Sequence, residues 1–530
     1  MYLQKKDYKY LIINCIRLFI SVYYAMQGRK NYQEKLFTSF QLSDRVPEGN
    51  IYRQVLKLID FQFLYRATSS YYGREGQASV DPVVFFKLML VGYLENIASD
   101  RKIIQSASMR MDLLFFIGYD IDEPLPWHST LSRTRKLYGE DVFLSLFQEV
   151  LKQCINKGML SGRRQAVDSM FIKANASMES LLEKDILADA ATFSAELKDN
   201  EDDNDGKTRT MPIVKSKNER FGNGQKRNNK THYSPTDPDS RIATKPGKQV
   251  LLNYLGQVSV DTGSHVITHA QAFLADKRDS QCLGEILNQT NDNLRREGLI
   301  MEEILADTNY SSTESLEALK NMKLTGYIPN LGSFKPEREG FIYDPEHDHY
   351  VCSQGKKLNY KGLKKSRSLS KQYMSNSSDC KDCPIRLSCI GKSSQKMITE
   401  TLSRPLFMQM EQRVKTRKGQ RMKNLRHSTV EPVIGTLVNY LNMKKLNTRG
   451  LSNATKCLLM SAIAYNLKKL IKFKAPGASN WSRKSLIDRL NNKTSRFLSV
   501  FSMCWEFLAI TGHKTKNYSQ MSLNFNFYKR

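Results

Sequence analysis

No apolar run in these 530 residues is long and clean enough to span a bilayer. The closest approach, Tyr10 to Ala25, is broken by Asn14 and Arg17 and falls short of the roughly 20 residues a spanning helix needs. It also lacks the small-residue cleavage site of a secretory leader. No internal repeat is present. Cysteine is scarce, nine residues in all, and Cys15, Cys154, Cys282, Cys457 and Cys504 are scattered in apolar contexts that suit free, buried thiols. That excludes a secreted disulfide framework and fits a reducing, cytoplasmic setting. Acid is also short: 53 Asp+Glu stand against 81 Lys+Arg, a formal net charge of +28.

A basic excess spread along the whole chain has a long polyanion as its natural partner, because each neutralised phosphate releases a condensed counterion. Anionic lipid, or charge that merely keeps the protein soluble, would give the same composition. The 40% hydrophobic and 25% charged fractions are ordinary for a globular protein with real cores. The length suggests two to four domains. Met26 opens a plainly soluble stretch, MQGRKNYQEKLFTSF, so residues 1–25 read as upstream sequence from an early start codon or as a disordered extension.

Residues 26–155 read as a helical domain. Asp81-Pro82 offers an N-cap followed by proline at the first helical position, and VVFFKLMLVGYL continues the helix. Ser99 is placed to cap a helix through RKIIQSASMRMDLLFF that ends at Gly118. Ser129 or Thr130 is placed to cap the short basic helix TLSRTRKLYG, and another helix runs from about Glu140 to Lys157. Arg133, Arg135 and Lys136 on that basic helix suit a helix-turn-helix-like DNA reader, or equally the solvated face of a plain bundle. From residue 160 to about 475 strands alternate with helices, which indicates a mixed α/β sheet. RRQAVDSMFIKANAS reads as a short strand closing at Asp168, and MEEILAD as one closing at Asp307. QVLLNYLGQVSVD and HVITHAQAF read as paired strands around the turn Thr262-Gly263. Residues 180–248, with the acidic patch Asp199–Asp205 and a basic Gly/Asn-rich stretch, read as a mobile linker. Residues 333–400 read as an irregular Cys-bearing insert. From 404 to 472 the pattern is helical again, interrupted at Gly435 and Gly450, and residues 476–530 form a basic tail.

Three carboxylates stand out by position: Asp168 and Asp307 at strand ends, and Glu431 in the helical STVEPVIGTLVNYL. Hard oxygen ligands of this kind suit Mg²⁺, and a pair of ions about 3.5–4 Å apart can assist both the entering and the leaving oxygen of a phosphoryl transfer. Taken singly, an Asp at a strand end is more often a turn or cap residue. Cys352, Cys380, Cys383 and Cys389, with C-x₂-C-x₅-C at their centre, could close a tetrahedral Zn²⁺ site or be reduced surface thiols. Lys356, Lys357, Lys361, Lys364 and Lys365 beside them suit a DNA-contacting insert or a solvated basic loop. His265, His269 and His427 have no Ser or Cys placed to pair with them, so no nucleophile–His chemistry is expected.

The words around the carboxylates carry a resemblance. AVDSMFIKANAS, ADTNYSS, and STVEPVIGTLVNYL with the downstream RGL and AYNLKKL resemble the three catalytic blocks of DDE insertion-sequence transposases, most of all the insertion sequence 1182 group. FTSFQLSDRVP, DPVVFFKLMLVGYL, LPWHSTLSRTR and SPTDPDSRIATKPGK extend the resemblance across nearly all of residues 26–473. It implies an RNase H-like core in which Asp168, Asp307 and Glu431 are catalytic and hold two Mg²⁺ (or Mn²⁺) ions. It implies water attack at an element end, freeing a 3′-OH that then attacks target DNA. The partners implied are double-stranded element ends and target DNA, bound by a homodimer or larger assembly near the nucleoid. Where such transposases carry Tyr, Arg and Lys around the Glu, this chain has Asn424, His427 and Val438, with Lys423, Arg426 and Lys444 close by but out of register. Arg426 and Lys444 are candidate DNA contacts on that basis. Tyr310 matches the tyrosine usual after the second Asp, and reads equally well as a core aromatic. A decayed or domesticated DNA-binding protein, a host nuclease on the same fold and a zinc-dependent regulator are the rival readings.

Overall fold

The computed structural model describes residues 33, 39–73, 79–184, 227–244, 247, 249–332, 334, 338–365 and 369–474. The expectations for residues 1–25, for Asp199–Asp205 and for the tail 476–530 lie outside the described residues. Two compact units divide at Pro47. In the first, the described chain forms a single helical turn, Leu42–Arg45.

The second unit begins with helices: α1 (Ile51–Leu58), α2 (Phe63–Thr68), α3 (Pro82–Leu94), α4 (Asp100–Ser108), α5 (Met111–Ile117), α6 (His128–Leu137) and α7 (Glu140–Asn156). Asp81 caps α3 as its sequence predicts, its Oδ1 accepting from the backbone N–H of Val83 at 2.7 Å and of Val84 at 3.2 Å. Apolar on every side, α3 is buried almost throughout, as a helix without a polar face must be. The long helix expected from Ser99 to Gly118 is instead two. Arg110 turns extended between α4 and α5 and forks onto Asp112 at 2.8 and 3.0 Å, an ion pair that holds the break. Gly118 does end α5, in the left-handed conformation glycine favours. Neither Ser129 nor Thr130 caps α6, which starts one residue after Trp127.

A six-stranded mixed sheet follows: β1 (Arg164–Lys173), β4 (Arg241–Ala243), β5 (Leu251–Asp261), β6 (Ile267–Leu274), β7 (Glu303–Leu305) and β8 (Thr325–Tyr327). A separate two-stranded ladder joins β2 (Leu182–Glu183) to β3 (His232–Tyr233). In the larger sheet the order is β4-β5-β1-β7-β8, with β6 also on β5. β1 pairs antiparallel with β5 and parallel with β7, so it is the central strand. Residues 227–244, expected within a mobile linker, include β3 and β4, and β4 pairs with the start of β5. One face of the sheet packs on α8 (Asp279–Arg296) and α9 (Thr313–Asn321), sharing Val167, Leu255, Ile286, Leu287 and Ile304 in one apolar cluster.

Residues 338–401 overturn the expectation of an irregular insert. They form a five-stranded antiparallel sheet of β9 (Phe341–Asp344), β10 (His349–Cys352), β11 (Lys357–Lys365), β12 (Leu369–Ser375) and β13 (Met397–Thr401), ordered β13-β12-β11-β10-β9. Its buried core is Tyr350, Leu358, Tyr373 and Ile398. So small a core leaves only a faint alternation among the many lysines, which is why the strands are hard to read from sequence.

Three helices close the described chain: α10 (Arg404–Lys415), α11 (Arg417–Tyr440) and α12 (Leu451–Lys472). Gly435 lies inside α11 and does not interrupt it, whereas Gly450 precedes α12 with φ of 88°. α12 is buried along most of its length between α7, α3 and β6. Its Asn466 clasps the free edge of β6, accepting from the Ile267 N–H at 2.9 Å and donating to the Ile267 carbonyl at 2.8 Å. An edge strand is thereby sealed against stray pairing. No described helix is long and apolar enough to cross a membrane.

Candidate functional site

The register of two parallel strands brings the two aspartates together. Ala166 of β1 lies opposite Leu305 of β7, and Asp168 and Asp307 each stand two residues farther on, level with one another. Asp168 is not a terminal residue: β1 continues to Lys173, paired with β5 all the way. Asp307 lies past the end of β7, where its Oδ1 accepts from the Asn309 N–H at 2.9 Å and starts a 3-10 turn, Thr308–Tyr310.

The group that meets both carboxylates is a guanidinium. α11 packs across β1, and its Arg426 Nη2 lies 2.9 Å from Asp168 Oδ2 and 3.6 Å from Asp307 Oδ2. The Arg426 side chain is buried and its Nε has no hydrogen-bond partner. Burial pushes the Asp168 carboxyl up to about 6, against the pull of Arg426 and of the Ser169 N–H, and the nearby Asp307 and Asp279 carboxylates add to the rise. Two acidic groups thus share one monovalent cation, with one of them held in a poorly solvated place.

Beneath them, Tyr310 is fully buried and donates to Gln257 Oε1 at 2.5 Å. Gln257 in turn donates to Asp279 Oδ1 at 3.0 Å. Of the two readings open for Tyr310, the packed core aromatic is the one realised, since it belongs to the cluster around Ile286 and Leu316. Burial raises its phenol well above the ordinary value, so it stays a neutral donor. Asp279 and Gln257 carry no local signal in the sequence; only the packing of α8 on β5 brings them in.

Glu431 is not part of this gathering. It follows Arg426 by five residues, which turns it about 140° around the helix. Its side chain is 60% exposed and bonds His427 Nδ1 at 2.6 Å. Ligand atoms of Asp168, Asp307 and Glu431 do not all lie within 4.8 Å of one another. Pro432, next in line, removes one N–H from the ladder of α11 beside Glu431.

The expected DNA contacts divide by burial. Arg133, Lys136 and Lys444 are exposed. Arg135 is not: it is buried and forks onto Asp100 at 2.7 and 3.1 Å, a structural pair that cannot reach a phosphate. Arg426 is spoken for by the aspartates. It shares one buried helical stripe with Met422, Thr429, Val430, Val433 and Leu437, whose spacing is visible in the sequence although the direction the stripe faces is not. Lys444 lines a groove of about 890 Å³ with Lys445 and with Lys173, which lies five residues beyond Asp168 on the same strand.

The four clustered cysteines all line one cavity of about 250 Å³, at the end of β10 and around two short helical turns, Ser377–Lys381 and Arg386–Cys389. No three of their sulfurs lie within 4.8 Å of one another. A closed tetrahedral thiolate site has edges of about 3.8 Å, given Zn–S bonds of about 2.3 Å. The four are gathered but not drawn to ligand spacing. His269, by contrast, is a packed residue: burial pushes its ring down to about 4, and it sits 3.3 Å from the Asn293 amide.

Residues 40–137 match the family described as Transposase domain (DUF772), and residues 351–471 the one described as Transposase DDE domain. The chain thus carries two segments of transposase kind, and with them the theme of DNA transposition by mobile elements. Glu431 and the cysteine cluster fall within the second segment; Asp168 and Asp307 fall outside both. No curated protein matches the chain. Among solved structures, a piggyBac transposase synaptic complex with hairpin DNA is similar at 10% identity and a TM-score of 0.29, over 82% of this chain and 77% of that one. A Mos1 transposase paired-end complex with left transposon end is similar at 10% identity and a TM-score of 0.15, over 54% of this chain and 73% of that one.

Proposed function

We propose, taking the two transposase segments as the premise, that this chain is an insertion-sequence transposase with an RNase H-like core that cuts element ends and joins them to target DNA. The observation that carries the reading is the convergence of Asp168 and Asp307, from neighbouring parallel strands, on a single guanidinium nitrogen at 2.9 and 3.6 Å. That arrangement marks one locus where two hard carboxylate ligands face a cation. The donor chemistry fits Mg²⁺ or Mn²⁺, with Asp168 and Asp307 as the residues that would hold it. When bound, such ions supply Lewis-acid assistance to the entering and leaving oxygens of phosphoryl transfer.

The rest falls to the chain. Asp168 must be ionised, so its elevated proton affinity favours cation binding above about pH 6. Arg426 holds the two carboxylates in place and must yield part of its contact when a divalent ion enters. Glu431, on the exposed turn of α11 beside Pro432, is the third acidic residue of the proposal, and it joins the others only if that turn of helix rotates when DNA docks. Lys173, Lys444 and Lys445 line the groove alongside and neutralise backbone phosphates, which positions DNA without reading its sequence. Arg133 and Lys136 on α6 are the exposed cations of the proposed end-binding domain. In the first step a water oxygen bonds to phosphorus and the P–O3′ bond breaks, leaving a 3′-OH. In the second that 3′-OH bonds to a target phosphorus and the target's own 3′ oxygen departs. An assembly of two or more copies would hold the paired ends.

The test is cleavage of a duplex carrying the DNA that flanks the gene, with and without Mg²⁺ or Mn²⁺. Strand cleavage that needs the ion and disappears in Asp168→Asn and Asp307→Asn supports the reading. Binding without ion-dependent cleavage favours the second reading, a DNA-binding protein that has lost turnover. The position of Arg426 between the aspartates and the pairing of Glu431 with His427 are what speak for that alternative.

A further inference from the structure

In the five-stranded sheet, well separated in sequence from the aspartates above, we propose a binding site for one divalent transition-metal ion, with zinc the leading occupant, formed by Asp344, His347 and His349. The site is a product of one tight hairpin. Asp344 ends β9 and His349 begins β10, and the two are directly opposite in the antiparallel register. The connection Pro345–Asp348 closes with Asp348 in the left-handed region, φ 47°, which folds His347 back over the pair. His347 Nδ1 lies 2.8 Å and His349 Nε2 3.8 Å from the same carboxylate oxygen, Asp344 Oδ2. One donor atom from each residue falls within 4.8 Å of the other two.

Several features distinguish this from a chance ion pair. A tetrahedral ion with bonds of about 2.0–2.1 Å sets its ligand atoms about 3.3 Å apart, and the two distances to Asp344 Oδ2 bracket that value. The other oxygen of Asp344 is fixed by the Glu346 N–H at 3.0 Å, which aims Oδ2 at the imidazoles. Hydrogen bonding of that kind to the far side of a ligand is a usual support of metal centres. His349 is buried, its side chain 7% exposed, and its ring makes no hydrogen bond to a described residue; its Nε2 faces Asp344 across 3.8 Å, too far to bond directly. His347 is 69% exposed, so an ion can enter from solvent and keep a fourth position for water. The neighbouring acid, Asp348, is not available: it is bound to Lys371, Tyr343 and Tyr373. Two imidazoles and one carboxylate suit a borderline first-row ion such as Zn²⁺ or Co²⁺, and not Mg²⁺, which prefers oxygen alone. Bound there, the ion would staple the edge hairpin of a sheet whose core is small.

The test uses the full chain with Cys380→Ser, Cys383→Ser and Asp168→Asn, so that neither the cysteine cavity nor the aspartate pair can answer for it. Titrated with Co²⁺ at neutral pH, this background is expected to bind one equivalent and to develop visible d–d bands without thiolate charge-transfer absorption. Zn²⁺ should displace the colour. His347→Gln, at an exposed position that the fold does not need, should weaken binding at least tenfold, and Asp344→Asn should do likewise. No saturable Co²⁺ binding at tens of micromolar free ion, or binding unchanged by both substitutions, overturns the proposal. The result is independent of whether the chain cleaves DNA.

Discussion

Asp168→Asn makes a sharp test of the site, because the structure predicts that removing its charge stabilises the fold. Burial lifts the carboxyl from 3.8 to about 6, so near neutral pH the ionised group is held against its preference. The shift of about two units corresponds to ~3 kcal/mol at ~1.4 kcal/mol per unit. The sign follows from proton linkage. A raised folded-state value means stability that is present below the unfolded value, near 3.8, and lost as pH rises through about 6. Asparagine keeps the shape, can still accept from Arg426, and never ionises. His269 works the other way: burial lowers it from 6.5 to about 4, so its contribution is present above 6.5 and lost as pH falls toward 4. Between pH 4 and 6.5 the two slopes oppose each other in the wild type. In the variant the opposing Asp168 slope is gone, and the lowered His269 and His265 rings should make stability climb with pH. Urea midpoints at constant m, measured from pH 4 to 8, read both effects. Asp168→Asn should be the more stable protein at pH 7.5, by up to ~3 kcal/mol, and equal to wild type near pH 4. Mg²⁺ should stabilise the wild type and leave the variant unmoved. A variant less stable at pH 7.5, or a gap that does not close as pH falls, refutes the placement of this carboxylate in a desolvated site.

Three further outcomes are expected. Asp100→Ala leaves the buried Arg135 with neither carboxylate oxygen and should cost ~3 kcal/mol in denaturant unfolding, whereas Arg133→Gln, at an exposed position, should leave stability within ~0.5 kcal/mol. Asn466→Ala removes both hydrogen bonds that seal the edge of β6 and should cost ~2 kcal/mol, with faster hydrogen exchange at the Ile267 amide as its local signature. Lys444→Gln and Lys445→Gln should each lower the salt-dependence slope of DNA binding by about 1 and weaken all sequences alike; an unchanged slope removes the groove from the DNA path.

The readable parts of this protein were those set by near neighbours in the chain. Asp81-Pro82 caps α3 because an N-cap needs only the next three residues. The hairpin at Thr262-Gly263 forms where two branched runs flank a turn. Asp168 on β1 and Asp307 just past the end of β7 lie at one level, and β1 runs past Asp168 instead of ending there. The five-stranded sheet was not legible, because a core of Tyr350, Leu358, Tyr373 and Ile398 leaves too little apolar alternation among lysines.

What the sequence determined by itself was a basic, multi-part α/β chain with helices before the sheet and four cysteines in one region. Only the tertiary structure decided which charges are buried. Arg135 and Arg133 lie two residues apart on one helix, yet one is locked to Asp100 and the other faces solvent. Arg426, and not Glu431, meets the aspartates, because the roll of α11 against β1 selects which side of the helix faces inward. Helical spacing fixes the angle between two side chains; the direction either one points is fixed by what the helix packs against.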